Sequence, residues 1–168
     1  VQGGAGESSS FKYGLFHENC LEYEMVLGNG DVVTASPSNN PDLFWGTACS
    51  YGSLGIITAV KLSLIPAQKY VQLRYTRVSN FPELIESIKR ATHSDADFVD
   101  GILFSSSRGV VITGTRGDQI LGPIVRFSRA RDEWHYLHAQ NVIEDYDVHS
   151  ETVPLEYFLF RYDRGCFW

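Results

Sequence analysis

Chemistry is suggested first by a glycine and hydroxyl string near the start of the chain, Gly3-Gly4-Ala5-Gly6-Glu7-Ser8-Ser9-Ser10. Backbone without side chains can come close to a ligand, and its free N–H groups and neighbouring hydroxyls suit a diphosphate or the edge of a planar ring. Alone, the string reads equally as a plain Gly/Ser-rich terminus. A Rossmann phosphate loop would follow a strand, open a helix and be succeeded by an acidic ribose partner. A second glycine segment, Gly52-Ser53-Leu54-Gly55, leads into Ile56-Ile57-Thr58. It lacks the spacing of a nucleophile elbow, and no Ser, His and acid stand in an arrangement that argues for a triad.

Among five histidines, His135 and His138 stand three apart, so a helix would present both imidazoles on one face. With no carboxylate at a ligand-like spacing and no third histidine nearby, the pair reads as solvated or partner-facing rather than metal-bound. His17 follows Tyr13-Gly14-Leu15-Phe16 and suits either a ligand contact or a structural hydrogen bond. Tyr157 and Arg161, four apart in an aromatic tail, could touch a ligand or be ordinary packing beside an exposed arginine. Cys20, Cys49 and Cys166 are odd in number and far apart. That is the pattern of buried reduced thiols in a reducing compartment, not of a zinc site or a redox dithiol.

The elements that must position these groups follow from periodicity. Leu21, Tyr23, Met25 and Leu27 alternate with Glu22 and Glu24, predicting a strand with one wet face, and Gly28-Asn29-Gly30-Asp31 turns it into a hairpin with Val32 to Ala35. Asn40-Pro41 predicts a helix start with Asn40 as N-cap, carrying Leu43, Phe44 and Trp45. Ile56 to Ile65 reads as a strand covered on both faces, ended by Pro66, with a boundary near 67–69. Beyond it come a strand over Val71 to Val78, a helix behind Asn80 with Phe81, Leu84, Ile85, Ile88 and Ala91 inward, and strands over Phe98 to Phe104 and Val110 to Thr115. A helix lying on an antiparallel sheet is the expected packing. After an irregular stretch, Asp132 to Ile143 reads as an amphipathic helix with Trp134, Leu137 and Val142 inward.

Composition narrows the class. The chain has 168 residues, 43% of them hydrophobic, and a formal net charge of -6. That is enough for one ordinary domain or two small subdomains. Excess acid with dispersed Lys and Arg, the nearest cluster being Arg126, Arg129 and Arg131, argues against a nucleic-acid partner. No apolar run approaches the roughly 20 residues of a membrane-spanning helix. The start at Val1, directly before a glycine loop, reads as truncated or processed.

Taken in order, Lys12-Tyr13-Gly14-Leu15-Phe16, the hairpin around Gly28 to Asp31, Asn40-Pro41-Asp42-Leu43-Phe44-Trp45 and Gly52 to Thr58 resemble the second half of the PCMH-type FAD-binding domain of the vanillyl-alcohol-oxidase-like flavoproteins. The resemblance implies an α+β fold: the C-terminal half of such a domain over residues 1–66, then the start of an antiparallel-sheet-plus-helix substrate domain over 67–168. It implies that Gly4, Gly6, Ser9 and Gly14 lie near the flavin or its diphosphate. It implies also that Gly55, Ile57 and Thr58 offer backbone to the cofactor, although Ile57 reads as well as a plain core residue. Gln2 offers no thiol or imidazole for covalent flavin attachment.

A narrower likeness rests on Glu7-Ser8-Ser9-Ser10 before the Lys12 segment, on Ile65-Pro66-Ala67 with Lys69-Tyr70-Val71, and on the tail from Arg161 to Phe167-Trp168. It is similar to the sterol side-chain reductases of the 24-dehydrocholesterol reductase type. That family implies FAD with NADPH as electron donor, reduction of a side-chain alkene (a CH–CH group) of a small-molecule sterol, no metal, and a parent protein at the endoplasmic reticulum membrane whose anchor lies outside these residues. The catalytic acid is unassigned. Because the family's diphosphate-gripping half lies upstream, the chain alone is expected to bind FAD weakly or not at all and to be inactive. Two alternatives stay open: a flavin-dependent alcohol or sugar oxidase of the same fold, and a non-catalytic remnant acting through protein contacts.

Overall fold

A computed structural model describes residues 9–127 and 129–162, so Gly4 and Gly6 lie outside the described residues. The chain divides into two compact units, Val1–Pro66 and Ala67–Trp168.

In the first unit β1 (Ser9–Ser10) and β2 (Gly14–Leu15) form a short antiparallel ribbon, followed by a 3-10 turn over Phe16–Asn19. Strand β3 (Cys20–Val26) then pairs with β4 (Val32–Ala35) through the expected hairpin, in which Gly30 takes φ +90. Helix α1 (Pro41–Thr47) and β5 (Ile56–Leu62) follow, and the sheet order is β4-β3-β5. Alternation in β3 buries Tyr23 and Met25 against Ala35 and Phe44, with the Tyr23 and Phe44 rings stacked at 5.0 Å. A fully buried Phe contributes roughly 2–3 kcal/mol. Thr47 anchors the helix by donating its hydroxyl to the Leu43 carbonyl at 2.6 Å.

Four expectations change here. Leu21 is exposed, because the register between β3 and β5 shifts at Cys20/Glu22 and brings Cys20 inward in its place. Asn40 precedes α1 but caps nothing with its side chain; it sits at φ 51 and donates to the Thr34 carbonyl at 2.8 Å. Strand β5 ends at Leu62 and is an edge strand, not one covered on both faces, with Ile56 70% exposed and Leu64 beyond it 85% exposed. Of the thiols, Cys20 is buried and Cys49 is exposed, which corrects the uniform buried reading; Cys166 lies outside the described residues.

The second unit is a four-stranded antiparallel sheet built from β6 (Tyr70–Val78), β7 (Phe98–Ser105), β8 (Arg108–Gly117) and β9 (Val148–Pro154) in the order β7-β8-β6-β9. Helix α2 (Phe81–Thr92) follows β6, and α3 (His135–Asp145) and α4 (Leu155–Leu159) flank β9. Period-two alternation sends Val71, Leu73, Tyr75, Val110 and Ile112 to one face with Ala139, Val142 and Ile143 of α3. Val78 and Val111 go to the other face, with Leu84 of α2. The sheet therefore carries a helix on each face, α2 on one and α3 on the other, and its central run Val110 to Ile112 is buried from both sides. Helix α2 starts as expected, Asn80 Oδ1 accepting from the Glu83 amide at 2.9 Å. Within α3 the expected inward face is wrong in part: Val142 is buried, but Trp134 and Leu137 are exposed and His135 is 1% exposed.

Candidate functional site

The glycines singled out for close ligand approach have intrachain reasons for being glycine. Gly14 takes φ +76, and a Cβ there would fall on the Glu18 carboxylate. That carboxylate accepts from the Leu15 amide at 2.6 Å, while Asn19 Nδ2 donates to the Tyr13 and Leu15 carbonyls, so the turn is internally tied. Gly55 takes φ +152, and a Cβ would lie 2.6 Å from the Val26 carbonyl oxygen. Ile57 pairs with Met25 and packs half-buried on the Tyr23 and Met25 cluster. Thr58 donates its hydroxyl to Glu24 Oε1 at 2.7 Å. Ser9 belongs to β1 and His17 to the 3-10 turn.

The structure thus places Ile57 and Thr58 in β5 with Gly55 just before it, and Gly14 in a separate ribbon. On its outer edge β5 has no partner strand among the described residues, and its first residue Ile56 is exposed, as are Tyr51 and Leu54 before it. Unpaired backbone beside apolar side chains fits the edge of a planar ring such as a flavin. That strand edge suits a diphosphate less well, because Lys61 is the one Lys or Arg side chain of β5.

The second unit holds a titratable cluster that periodicity did not reveal. Strand β9 turns His149, Glu151 and Val153 toward the face covered by α3. Glu151, 1% exposed, accepts the Tyr75 phenol proton at 2.6 Å and lies 2.9 Å from His138 Nε2. His149 Nε2 approaches the same carboxylate at 3.6 Å, and Glu133 stands 3.4 Å from the other nitrogen of His138. Burial pulls His138 downward, but its bonds to Glu151 and Glu133 outweigh that and raise it above the ordinary imidazole value. Burial and the adjoining carboxylate push the Tyr75 phenol well up.

His135 is the opposite case. Both its ring nitrogens are buried, without a hydrogen-bond partner among the described residues, near the rings of Phe127, Tyr75 and Tyr162. Burial, with Arg161 and His138 adding repulsion, lowers it to about 3, so it is neutral in the fold. The pair read as solvated is therefore a buried neutral ring beside a carboxylate-bound one. Arg161 is likewise not an exposed arginine: it pairs with Asp100 at 2.6 Å and lies over the Phe158 ring at 4.0 Å. Among the described residues no group of three His, Cys, Asp or Glu side chains is placed to hold a metal ion, and no helix is long and apolar enough to cross a membrane. A buried acid inside Val148-His149-Ser150-Glu151-Thr152-Val153 is signalled in sequence by alternation alone, which the polar side chains disguise.

No family model matches the chain. The Delta(24)-sterol reductase of Mus musculus is 34% identical over 173 residues, covering 100% of this chain and 33% of that protein. The human Delta(24)-sterol reductase is likewise 34% identical, over 177 residues. The chain belongs to the Delta(24)-sterol reductase family. It spans about a third of the length of these reductases. A rice protein, Cytokinin dehydrogenase 7, is 38% identical over 98 residues, 55% of this chain and 18% of its own length. Both names are those of oxidoreductases, and the match to the Delta(24)-sterol reductases runs through both units.

Proposed function

We propose that the chain forms part of a flavin-dependent reductase that saturates the side-chain alkene of a sterol, with FAD resident and NADPH as electron donor. The observation that carries this reading is identity to Delta(24)-sterol reductases across 100% of the chain. On this reading the first unit is the C-terminal half of a PCMH-type FAD-binding domain and the second is the start of the substrate domain. Gly14, with Gly4, Gly6 and Ser9 ahead of it, lies along the flavin or its diphosphate, and Gly55, Ile57 and Thr58 offer the β5 edge to the ring. FAD, when bound, supplies hydride-transfer chemistry, and the chain's part is to orient it and exclude water. The parent protein works at the endoplasmic reticulum membrane. The likeness to a cytokinin dehydrogenase favours a second reading, a flavin enzyme of the same fold that oxidises its substrate, as an alcohol or sugar oxidase does.

Exchanging this chain for the matching third of the Mus musculus reductase tests the proposal. The expected product holds FAD, is reduced anaerobically by NADPH and saturates a sterol side-chain alkene, whereas the 168-residue chain alone elutes from gel filtration without stoichiometric flavin. A folded exchange protein that holds FAD but accepts electrons from an alcohol and not from NADPH would favour the second reading. One that folds without FAD would sink both.

A further inference from the structure

The second unit contains a cavity of about 430 Å³, lined in part by Lys69, Tyr70, Arg126, Arg129, Leu155 and Tyr157. Its frame is fixed by backbone: the Leu155 amide donates to the Lys69 carbonyl at 2.9 Å, Tyr70 pairs with Pro154, and Ile124 bridges to Thr152. The loop carrying the two arginines is thereby tied to the β6 and β9 ends. Arg126 and Arg129 converge on one aromatic ring, lying 5.7 and 5.9 Å from the Tyr157 centroid.

Three cations meet a single carboxylate in this lining, that of Glu156, within a chain whose net charge is -6. Among the described residues no ion pair engages the side chains of Lys69, Arg126 or Arg129, whereas Arg77, Arg108, Arg116 and Arg161 each have an acidic partner. Both arginines are exposed, and with like charge on the two beside one ring, an anion that reaches both is favoured over a cation or a neutral group. Planar guanidinium forks match pairs of phosphate oxygens, and a phosphomonoester carries close to two negative charges near neutral pH, where a carboxylate carries one. The cavity is larger than a phosphate needs and falls in the range of small-molecule sites. Its remaining wall, Tyr70, Leu155 and Ile124, is apolar and suits an attached organic body.

We propose that this cavity binds the phosphomonoester group of a small organic molecule, with Arg126, Arg129 and Lys69 holding the phosphate. The source is a soluble phosphorylated metabolite or the headgroup of a phospholipid. The inference is independent of the flavin reading.

Amide NMR of the whole chain at low salt tests it with three probes: inorganic phosphate, adenosine monophosphate, and vesicles of phosphatidylcholine with or without phosphatidic acid. Inorganic phosphate is expected to shift the Tyr70, Leu155 and Tyr157 amides saturably. Arg126→Gln with Arg129→Gln should weaken this about tenfold or more, the worth of one charge-assisted contact, while Arg131→Gln, outside the lining, leaves it unchanged. Tighter binding of adenosine monophosphate than of adenosine assigns the soluble source; binding to vesicles only when phosphatidic acid is present assigns the lipid. Should the double variant unfold, the map of shifts on the native chain decides alone. Failure of inorganic phosphate to shift these amides, shifts centred elsewhere, or equal loss in Arg131→Gln overturns the proposal.

Discussion

One buried carboxylate, Glu151, is shared by a phenol and an imidazole, and this sets what substitution there should do. Glu151→Ala leaves the Tyr75 hydroxyl and His138 without their acceptor, and breaking such a buried pair costs about 3–5 kcal/mol. Glu151→Gln keeps an acceptor and should cost less; urea unfolding at pH 6.5 ranks the two. The histidines impose opposite pH limbs. His138 is raised in the fold by Glu151 and Glu133 against the pull of burial, so its contribution is complete below about pH 6.5, the unfolded value, and is lost as pH rises through its folded value. His135, at about 3 in the fold, takes up a proton more readily when unfolded, so stability falls as pH drops from about 6.5 toward 3, by up to about 1.4 kcal/mol per pH unit. His135→Leu removes the acid limb. Its unfolding midpoint should change less between pH 6 and 4 than that of the native chain, and an unchanged slope would show that His135 is not the source.

Elements were legible in proportion to how purely apolar their buried stripe is. Helix α2 carries Leu84, Ile88 and Ala91 at helical spacing behind an Asn80 cap, and it forms where expected. Helix α3 is legible but its inward face is not, because that stripe includes His135 and His138, residue types that read as wet, while Trp134 and Leu137 read as dry. Strand β9, with His149, Ser150, Glu151 and Thr152, and helix α4, hidden in an aromatic tail, were not anticipated. Turn glycines read as ligand contacts, yet the hairpin's own backbone requires Gly55. Gly55→Ala places a Cβ 2.6 Å from the Val26 carbonyl at φ +152, so a loss on the order of 2 kcal/mol or more is expected by thermal unfolding. Gly101→Ala, which meets the flexible end of Ile88, should cost less.

At the scale of the molecule, the first unit leaves apolar surface at β5, where Ile56 is 70% exposed and Leu64 just beyond the strand 85% exposed, on an edge with no partner strand among the described residues. Exposed apolar edges of this kind recruit other chains. Sedimentation velocity should show concentration-dependent association, relieved by Ile56→Lys; a concentration-independent monomer would contradict it. The residue order alone determined the hairpin, the α2 cap, the alternating strands of the main sheet and the family, because each is a local pattern or a linear string of matches. It could not show that β5 is an edge, that Glu151 gathers Tyr75 and His138, or that two arginines close on Tyr157. These depend on which strands become neighbours, and burial and charge are summed over groups as far apart as the 76 positions between Tyr75 and Glu151.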